Sequence, residues 1–153
     1  MIGAQLQTET FHTIAPDLQT TQGQDVIAPS VAPFIAKVER LTVSNFRCYE
    51  QARIETAGRP VVLSGSNGAG KTNILEAVSL LTPGRGLRRA KLSEMSRQTI
   101  GNSSKSWGVA AKVATTDGFI DLGTGLAEAG AEKRTVRIDG ETVKNQSALA
   151  DYM

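Results

Sequence analysis

The chain has 153 residues, enough for one domain with its own core, and a formal net charge of only +2. Its single cysteine, Cys48, excludes an intrachain disulfide, and no apolar run approaches the ~18 residues that a membrane span needs. The N-terminus also lacks the pattern of a signal peptide. We therefore expect a soluble, cytoplasmic protein with no membrane partner.

The first 35 residues differ in composition from the rest of the chain. They are rich in Gln, Thr, Ala and Pro, and they contain no Lys or Arg. Pro16, Pro29 and Pro33 would interrupt a helix, and the apolar residues follow no period. These features predict a flexible N-terminal tail over residues 1–35 and a folded lobe over residues 36–153.

A predicted β-hairpin opens the lobe. Residues 36–43 and 51–56 are prone to form strands, and residues 44–49 read as the turn between them. A short apolar run at residues 61–63 then predicts a buried central strand. Residues 73–81 predict a helix with one apolar face, formed by Ile74, Leu75, Val78 and Leu81.

The segment between this strand and this helix has the pattern G-x-x-x-x-G-K-T of a phosphate-binding loop. Glycines allow the backbone to take positive φ and approach a ligand, and the helix N-terminus favours an anion. Lys71 would reach the β- and γ-phosphates, and the Thr72 hydroxyl would bind Mg²⁺. The predicted nucleotide-binding residues are Gly65, Ser66, Asn67, Gly68, Ala69, Gly70, Lys71 and Thr72.

A basic cluster follows the helix after the breaker Pro83-Gly84. It comprises Arg85, Arg88, Arg89 and Lys91, and no acidic residue lies between Glu76 and Glu94. A solvated loop is the ordinary interpretation of such a run. A contact with the γ-phosphate or with a nucleic-acid backbone is an equally weighted alternative, because the cluster follows a nucleotide-binding helix.

The C-terminal part predicts a small antiparallel meander. Asp117-Gly118 and Asp139-Gly140 are hairpin-turn dipeptides. The expected elements are a short helix at 92–100, a loop at 101–106, strands at 107–114, 119–126, 133–138 and 141–143, a loop at 128–132, and a helix at 148–153 capped by Ser147.

Hydrolysis normally needs a second acidic group at the end of an apolar strand, to hold Mg²⁺. Asp121 follows a hairpin turn too closely, and Asp139 ends an alternating strand that leads into a turn. Neither is convincing. The pattern predicts the front part of a longer protein, without catalytic residues of its own.

Four motifs together resemble the RecF family of DNA replication and repair proteins, with the SMC-like ATPase heads as its wider kin. They are the strand and corner Leu41–Tyr49, the loop and helix start Gly65–Ala77, the arginine loop Gly84–Arg89 and the hairpin Val136–Gly140. Cys48 stands where the family commonly has Asn. The resemblance covers residues 38–153 and implies an α/β fold, namely a P-loop NTPase lobe of the ABC/SMC type with a mixed and antiparallel sheet.

The resemblance also implies function. The full-length family forms ATP-dependent homodimers that bind single-stranded or gapped DNA and act with other recombination mediator proteins in repair and the SOS response. ATP and Mg²⁺ would be the cofactors. Arg47, Arg85, Arg88 and Arg89 would be candidate phosphate or DNA contacts. The family's signature motif and second acidic motif would lie beyond residue 153, so the fragment would not hydrolyse ATP alone.

Two other interpretations stay open. One is a module that binds nucleotide and DNA or a partner without turnover. The other is a different phosphate-loop protein, either another SMC/ABC-type head or an unrelated small-molecule kinase or transporter ATPase. In a transporter subunit, Tyr49 would be the aromatic residue that stacks on adenine.

Overall fold

The computed structural model describes residues 8–9, 36–99, 102–103, 106–127, 131 and 133–153. The predicted flexible tail lies outside the described residues except for Thr8–Glu9, as does most of the predicted loop at 128–132. In the part of the chain that the structure describes, no helix is long and apolar enough to cross a membrane.

Most of the strands belong to one antiparallel sheet. Its order is β10-β9-β8-β7-β2-β3, and every neighbouring pair is antiparallel. Two small pairs, β1 with β4 and β5 with β6, stand apart from it. In chain order the strands are β1 Thr8–Glu9, β2 Lys37–Phe46, β3 Tyr49–Glu55, β4 Val62–Leu63, β5 Gln98–Thr99, β6 Asn102–Ser103, β7 Trp107–Thr115, β8 Gly118–Leu126, β9 Thr135–Ile138 and β10 Glu141–Val143.

One α-helix packs on the inner face of this sheet. The helix, α1, spans Lys71–Ser79 and begins two residues before the predicted start. Two 3₁₀ segments, Leu92–Met95 and Gln146–Asp151, complete the described elements. The predicted helix at 92–100 is therefore wrong beyond Met95, since the chain continues into β5.

The core lies between α1 and alternate residues of the sheet. In β7, Trp107, Val109, Ala111 and Val113 point inwards, as the two-residue period of a strand requires. Trp107 meets Phe46 edge to face, with ring centroids 5.5 Å apart. Its indole N–H donates to Leu92 O at 2.8 Å. The few aromatic residues therefore anchor the sheet, the hairpin and the first 3₁₀ segment together.

Several expectations need correction. The turn predicted at 44–49 is shorter, because β2 continues to Phe46 and β3 begins at Tyr49. The strand predicted at 61–63 is neither central nor fully buried. Val62 is 48% exposed, and within the described residues β4 pairs only with β1, so the main sheet does not cover it.

The buried face of α1 differs from the predicted face. Leu75 is 54% exposed and Glu76 is fully buried, so the buried face is rotated from the predicted one.

The cap of the last segment also differs from the prediction. This segment is a 3₁₀ helix whose cap is Asn145 and not Ser147. The Asn145 side chain accepts a hydrogen bond from the Ser147 backbone N–H at 3.1 Å.

Candidate functional site

The phosphate loop joins β4 to α1, and three glycines set its path. Gly65, Gly68 and Gly70 have φ of +139°, +86° and +95°, which L side chains rarely adopt. Gly70 is the N-cap of α1, no side chain caps the helix, and its first turn contains no acidic residue. The first N–H groups of α1 therefore keep their hydrogen-bonding capacity for an anion.

Gly70 also lies in close contact with the hairpin turn between β2 and β3. A Cβ atom at Gly70 would lie 2.9 Å from Cys48 Sγ and would collide with the Tyr49 hydroxyl. That hydroxyl donates a long hydrogen bond of 3.4 Å to Ala69 O. Only a residue without a side chain allows the loop and the hairpin to approach this closely.

Tyr49 packs against the underside of the loop and is only 8% exposed. Burial raises the pKa of its phenol, and the neighbouring Cys48 thiol raises it further. A buried ring in this position is not free to stack on adenine. The structure therefore removes Tyr49 as support for the transporter alternative.

Lys71 folds back over the loop at the start of α1. Its Nζ donates to Gly65 O and to Ser66 O, both at 2.8 Å. The next residue, Thr72, is exposed in the first turn of the helix. The Lys71 ammonium group thus lies over the loop, and Thr72 is open to solvent beside it.

Glu76, in the middle of α1, is fully buried and forms the centre of an ion cluster. Arg47 donates to both of its carboxylate oxygens, through Nη2 at 2.6 Å and Nε at 2.8 Å. Arg47 also donates to Glu94 O at 2.8 Å and has a φ of +54°. Paired, two-pronged geometry of this kind is among the stronger polar contacts in proteins. It joins the hairpin, α1 and the first 3₁₀ segment.

The four arginines predicted as phosphate or DNA contacts fall into two groups. Arg47 and Arg88 converge on α1, because Arg88 Nη1 lies 3.7 Å from the Glu76 carboxylate and 3.3 Å from Asn73 Oδ1. Arg85 and Arg89 are exposed in the loop after α1. The structure therefore does not bring the four side chains to one site, and it gives Arg47 a partner within the fold.

An apolar hollow of about 820 Å³ lies beside Lys71 and Thr72. Its walls come from β2, β3, β4 and α1, and they include the exposed side of Leu75. None of its lining residues is Asp or Glu among those that the structure describes.

Sequence reasoning missed the buried carboxylate of Glu76. A charged residue inside a helix is normally assigned to the solvent face. Its partner Arg47 is 29 residues away in the chain. Only the fold shows that the two side chains meet.

Residues 40–149 match the family model of the AAA domain. The match covers more than half of the chain, so the chain belongs to the AAA domain family.

Its relatives include DNA replication and repair proteins named RecF. The one from Caulobacter vibrioides is 51% identical over 115 residues, which make up 74% of this chain and 30% of the relative. The one from Mesorhizobium japonicum is 40% identical over 122 residues, or 79% and 31%. The resemblance drawn from the loop and corner motifs is therefore confirmed. The chain spans about 30% of the length of these curated relatives.

Solved structures share the fold. The recombination mediator protein RecF with ATP, from the RecFOR pathway, superposes with a TM-score of 0.61 and 22% identity, covering 76% of this chain and 31% of that one. An SMC head bound to the C-winged helix domain of ScpA superposes with a TM-score of 0.61 and 17% identity, covering 76% of this chain and 39% of that one. The predicted α/β fold of an ABC/SMC-type lobe is confirmed.

Proposed function

We propose that this chain forms the ATP-binding lobe of a DNA-binding protein in replication and recombinational repair. The main support for a nucleotide site is that α1 has an uncapped N-terminus and that Lys71 Nζ lies 2.8 Å from two loop carbonyl oxygens. A lysine so held keeps its charge over the anion site and exchanges the carbonyls for β- and γ-phosphate oxygens when nucleotide binds. The names of the RecF relatives support the choice of repair protein.

Each part of the loop has a role in this proposal. The backbone N–H groups of residues 65–72 would bind phosphate oxygens, and the helix dipole would favour their negative charge. The exposed Thr72 hydroxyl fits a magnesium ion that takes its other ligands from phosphates and water. That ion, when bound, compensates phosphate charge. Arg88 would remain near the γ-phosphate through its contacts with Asn73 and Glu76.

The resemblance to RecF proteins is the basis for more specific proposals on DNA binding and partners. We propose that the protein binds single-stranded or gapped DNA in an ATP-dependent way and that the full-length protein forms a homodimer. We also propose that it acts in the cytoplasm with other recombination mediators, in DNA repair and in the SOS response. The solved RecF structure, described as a recombination mediator in the RecFOR pathway, supports this assignment. Arg85 and Arg89 are exposed in the loop after α1 and, unlike Arg47 and Arg88, form no ion pair within the described residues.

Binding without turnover is the second candidate for this chain alone. It is favoured by the hollow beside Lys71, where no described lining residue is a carboxylate. We propose that hydrolysis needs residues from the remainder of a full-length relative, including its signature motif and second acidic motif. Adding a full-length relative to the chain separates the two cases, because only a complementing lobe would raise ATP turnover above that of the relative alone.

Titration calorimetry with ATP and Mg²⁺ tests the nucleotide site. We expect wild type to bind and Lys71→Ala to lose at least about tenfold in affinity, since the variant lacks the cation at the phosphates. Lys112→Ala is the matched control, because Lys112 packs over Phe119 on β8, away from the loop. Equal affinity in wild type and Lys71→Ala would contradict the proposal.

A further inference from the structure

A second basic surface lies at the C-terminal end of α1, away from the phosphate loop. A hollow of about 850 Å³ opens there between the loop after α1, the segment before β9 and the segment after β10. Among the residues that the structure describes, no Asp or Glu borders it. Its basic lining residues are Arg85, Lys91, Lys133, Arg134 and Lys144.

Arg134 builds the floor of this hollow. The C-terminal end of a helix presents carbonyl oxygens, which would repel an anion. Arg134 donates to the carbonyls of the C-cap and of the loop after it, namely Leu80 O, Thr82 O at 2.8 Å and Gly84 O at 3.1 Å. It also donates to the side chain of Gln146 at 3.0 Å. One guanidinium thus places positive charge beside the C-terminal end of α1 and joins the loop after it to the last 3₁₀ segment.

The other four basic side chains are exposed, and within the described residues none of them forms an ion pair. This distinguishes them from Arg47 and Arg88, which both form ion pairs with Glu76. Uncompensated charges of one sign around a concave surface attract anions more strongly than the same charges on an open surface. The described lining of the hollow therefore favours an anion.

We infer that this hollow binds the phosphate backbone of nucleic acid. The inference rests on the proposed DNA-binding function and assigns a surface to it. Lys and Arg, with neutral polar side chains such as Ser93 and Asn145, are the donors that proteins use for backbone phosphates. No aromatic residue lines the hollow within the described chain, so it offers neither base stacking nor the anchors typical of a protein interface.

This surface is separate from the nucleotide site. The nine residues of α1 place its two ends about 13 Å apart. Substitutions at the hollow should therefore leave ATP binding unchanged. That independence allows the surface to be tested without disturbing the phosphate loop.

The test measures fluorescence anisotropy of a labelled single-stranded DNA oligonucleotide, with ATP and Mg²⁺, at salt concentrations from 50 to 200 mM. The variant is Lys133→Gln with Lys144→Gln, two exposed positions at the hollow. The matched control is Lys112→Gln with Arg137→Gln, which removes the same charge from the opposite face of the sheet.

We expect the hollow variant to bind about tenfold more weakly at 200 mM salt, with a salt slope lower by about 1.4, as two lost phosphate contacts on a single strand imply. Both double variants should keep wild-type affinity for ATP. A control that weakens binding as much as the hollow variant, or a hollow variant that binds DNA like wild type, would overturn the inference while leaving DNA binding itself intact.

Two further outcomes are decisive. If wild type binds no oligonucleotide even at 50 mM salt, the proposed DNA-binding function fails together with the inference. If the hollow variant loses affinity for poly-glutamate but not for the oligonucleotide, the surface recognises an acidic protein and the inference is wrong.

Discussion

At the scale of single residues, Gly70 satisfies two independent requirements. Its φ of +95° lies in the left-handed region, and its missing side chain leaves room for Tyr49 and Cys48. Gly68 satisfies only the conformational requirement. Its φ is +86°, but a Cβ atom there would meet nothing within 4 Å. The phosphate-loop motif specifies Gly70 but leaves position 68 open, and only the structure shows that Gly70 also serves packing.

Substituting the two glycines should therefore destabilise the fold to different extents. Gly68→Ala should lower the free energy of unfolding by about 1 kcal/mol through backbone strain. Gly70→Ala should lower it by about 1–3 kcal/mol more, because its Cβ displaces the hairpin. Urea unfolding followed by circular dichroism measures both on the same scale. Equal midpoints for the two variants would show that the hairpin yields to the added methyl group.

At the scale of elements, Glu76 links three segments that are distant in sequence. Arg47 approaches it from the β2–β3 turn, and the same arginine holds the first 3₁₀ segment through Glu94 O. The Glu76 carboxylate is fully buried, whereas Arg47 retains 18% exposure. Removing one partner of a buried pair leaves an unpaired charge, so the docking of α1 on the sheet depends on this contact.

Substituting Glu76 tests this dependence. Glu76→Gln should destabilise the fold by about 3–5 kcal/mol, because Arg47 would keep its charge without a carboxylate. Glu55→Gln is the control, since Glu55 pairs with Arg53 at the surface, where both side chains are more than half exposed. Denaturant unfolding gives both values. A Glu76→Gln protein as stable as the control would mean that Arg47 finds another partner.

Local patterns predicted most elements correctly. The hairpin dipeptides Asp117-Gly118 and Asp139-Gly140 lie at the turns of the meander, where expected. The sequence could not show that Val62 is half exposed, since strand burial depends on neighbours. It also could not show the basic hollow, because Lys133 and Lys144 meet Arg85 only through the fold.

At the scale of the whole molecule, one side of the nucleotide lobe is apolar and open. The hollow beside the phosphate loop has a volume of about 820 Å³ and is lined by more apolar than polar residues. Leu75 is 54% exposed on its wall. Monomeric proteins seldom expose such patches without a partner surface.

An apolar dye such as anilinonaphthalene sulfonate should bind the native chain at this hollow. We expect Leu75→Gln to reduce the dye fluorescence while changing the unfolding midpoint little, because Leu75 is already half exposed. Leu87→Gln is the control, since Leu87 is 58% exposed but does not line the hollow. Equal fluorescence in all three proteins would place the dye elsewhere.

The pairing of β2 with β7 has a consequence for how the protein folds. These adjacent strands run from Lys37↔Ala114 to Ser44↔Gly108, so the phosphate loop, α1 and the arginine loop all lie in the segment between them. Pairing β2 with β7 closes that long segment, which makes this closure a slow, non-local step. Closure entropy grows by only about 0.6 kcal/mol for each doubling of length. The nucleotide segment can therefore lengthen or shorten during evolution while the sheet that carries it stays the same.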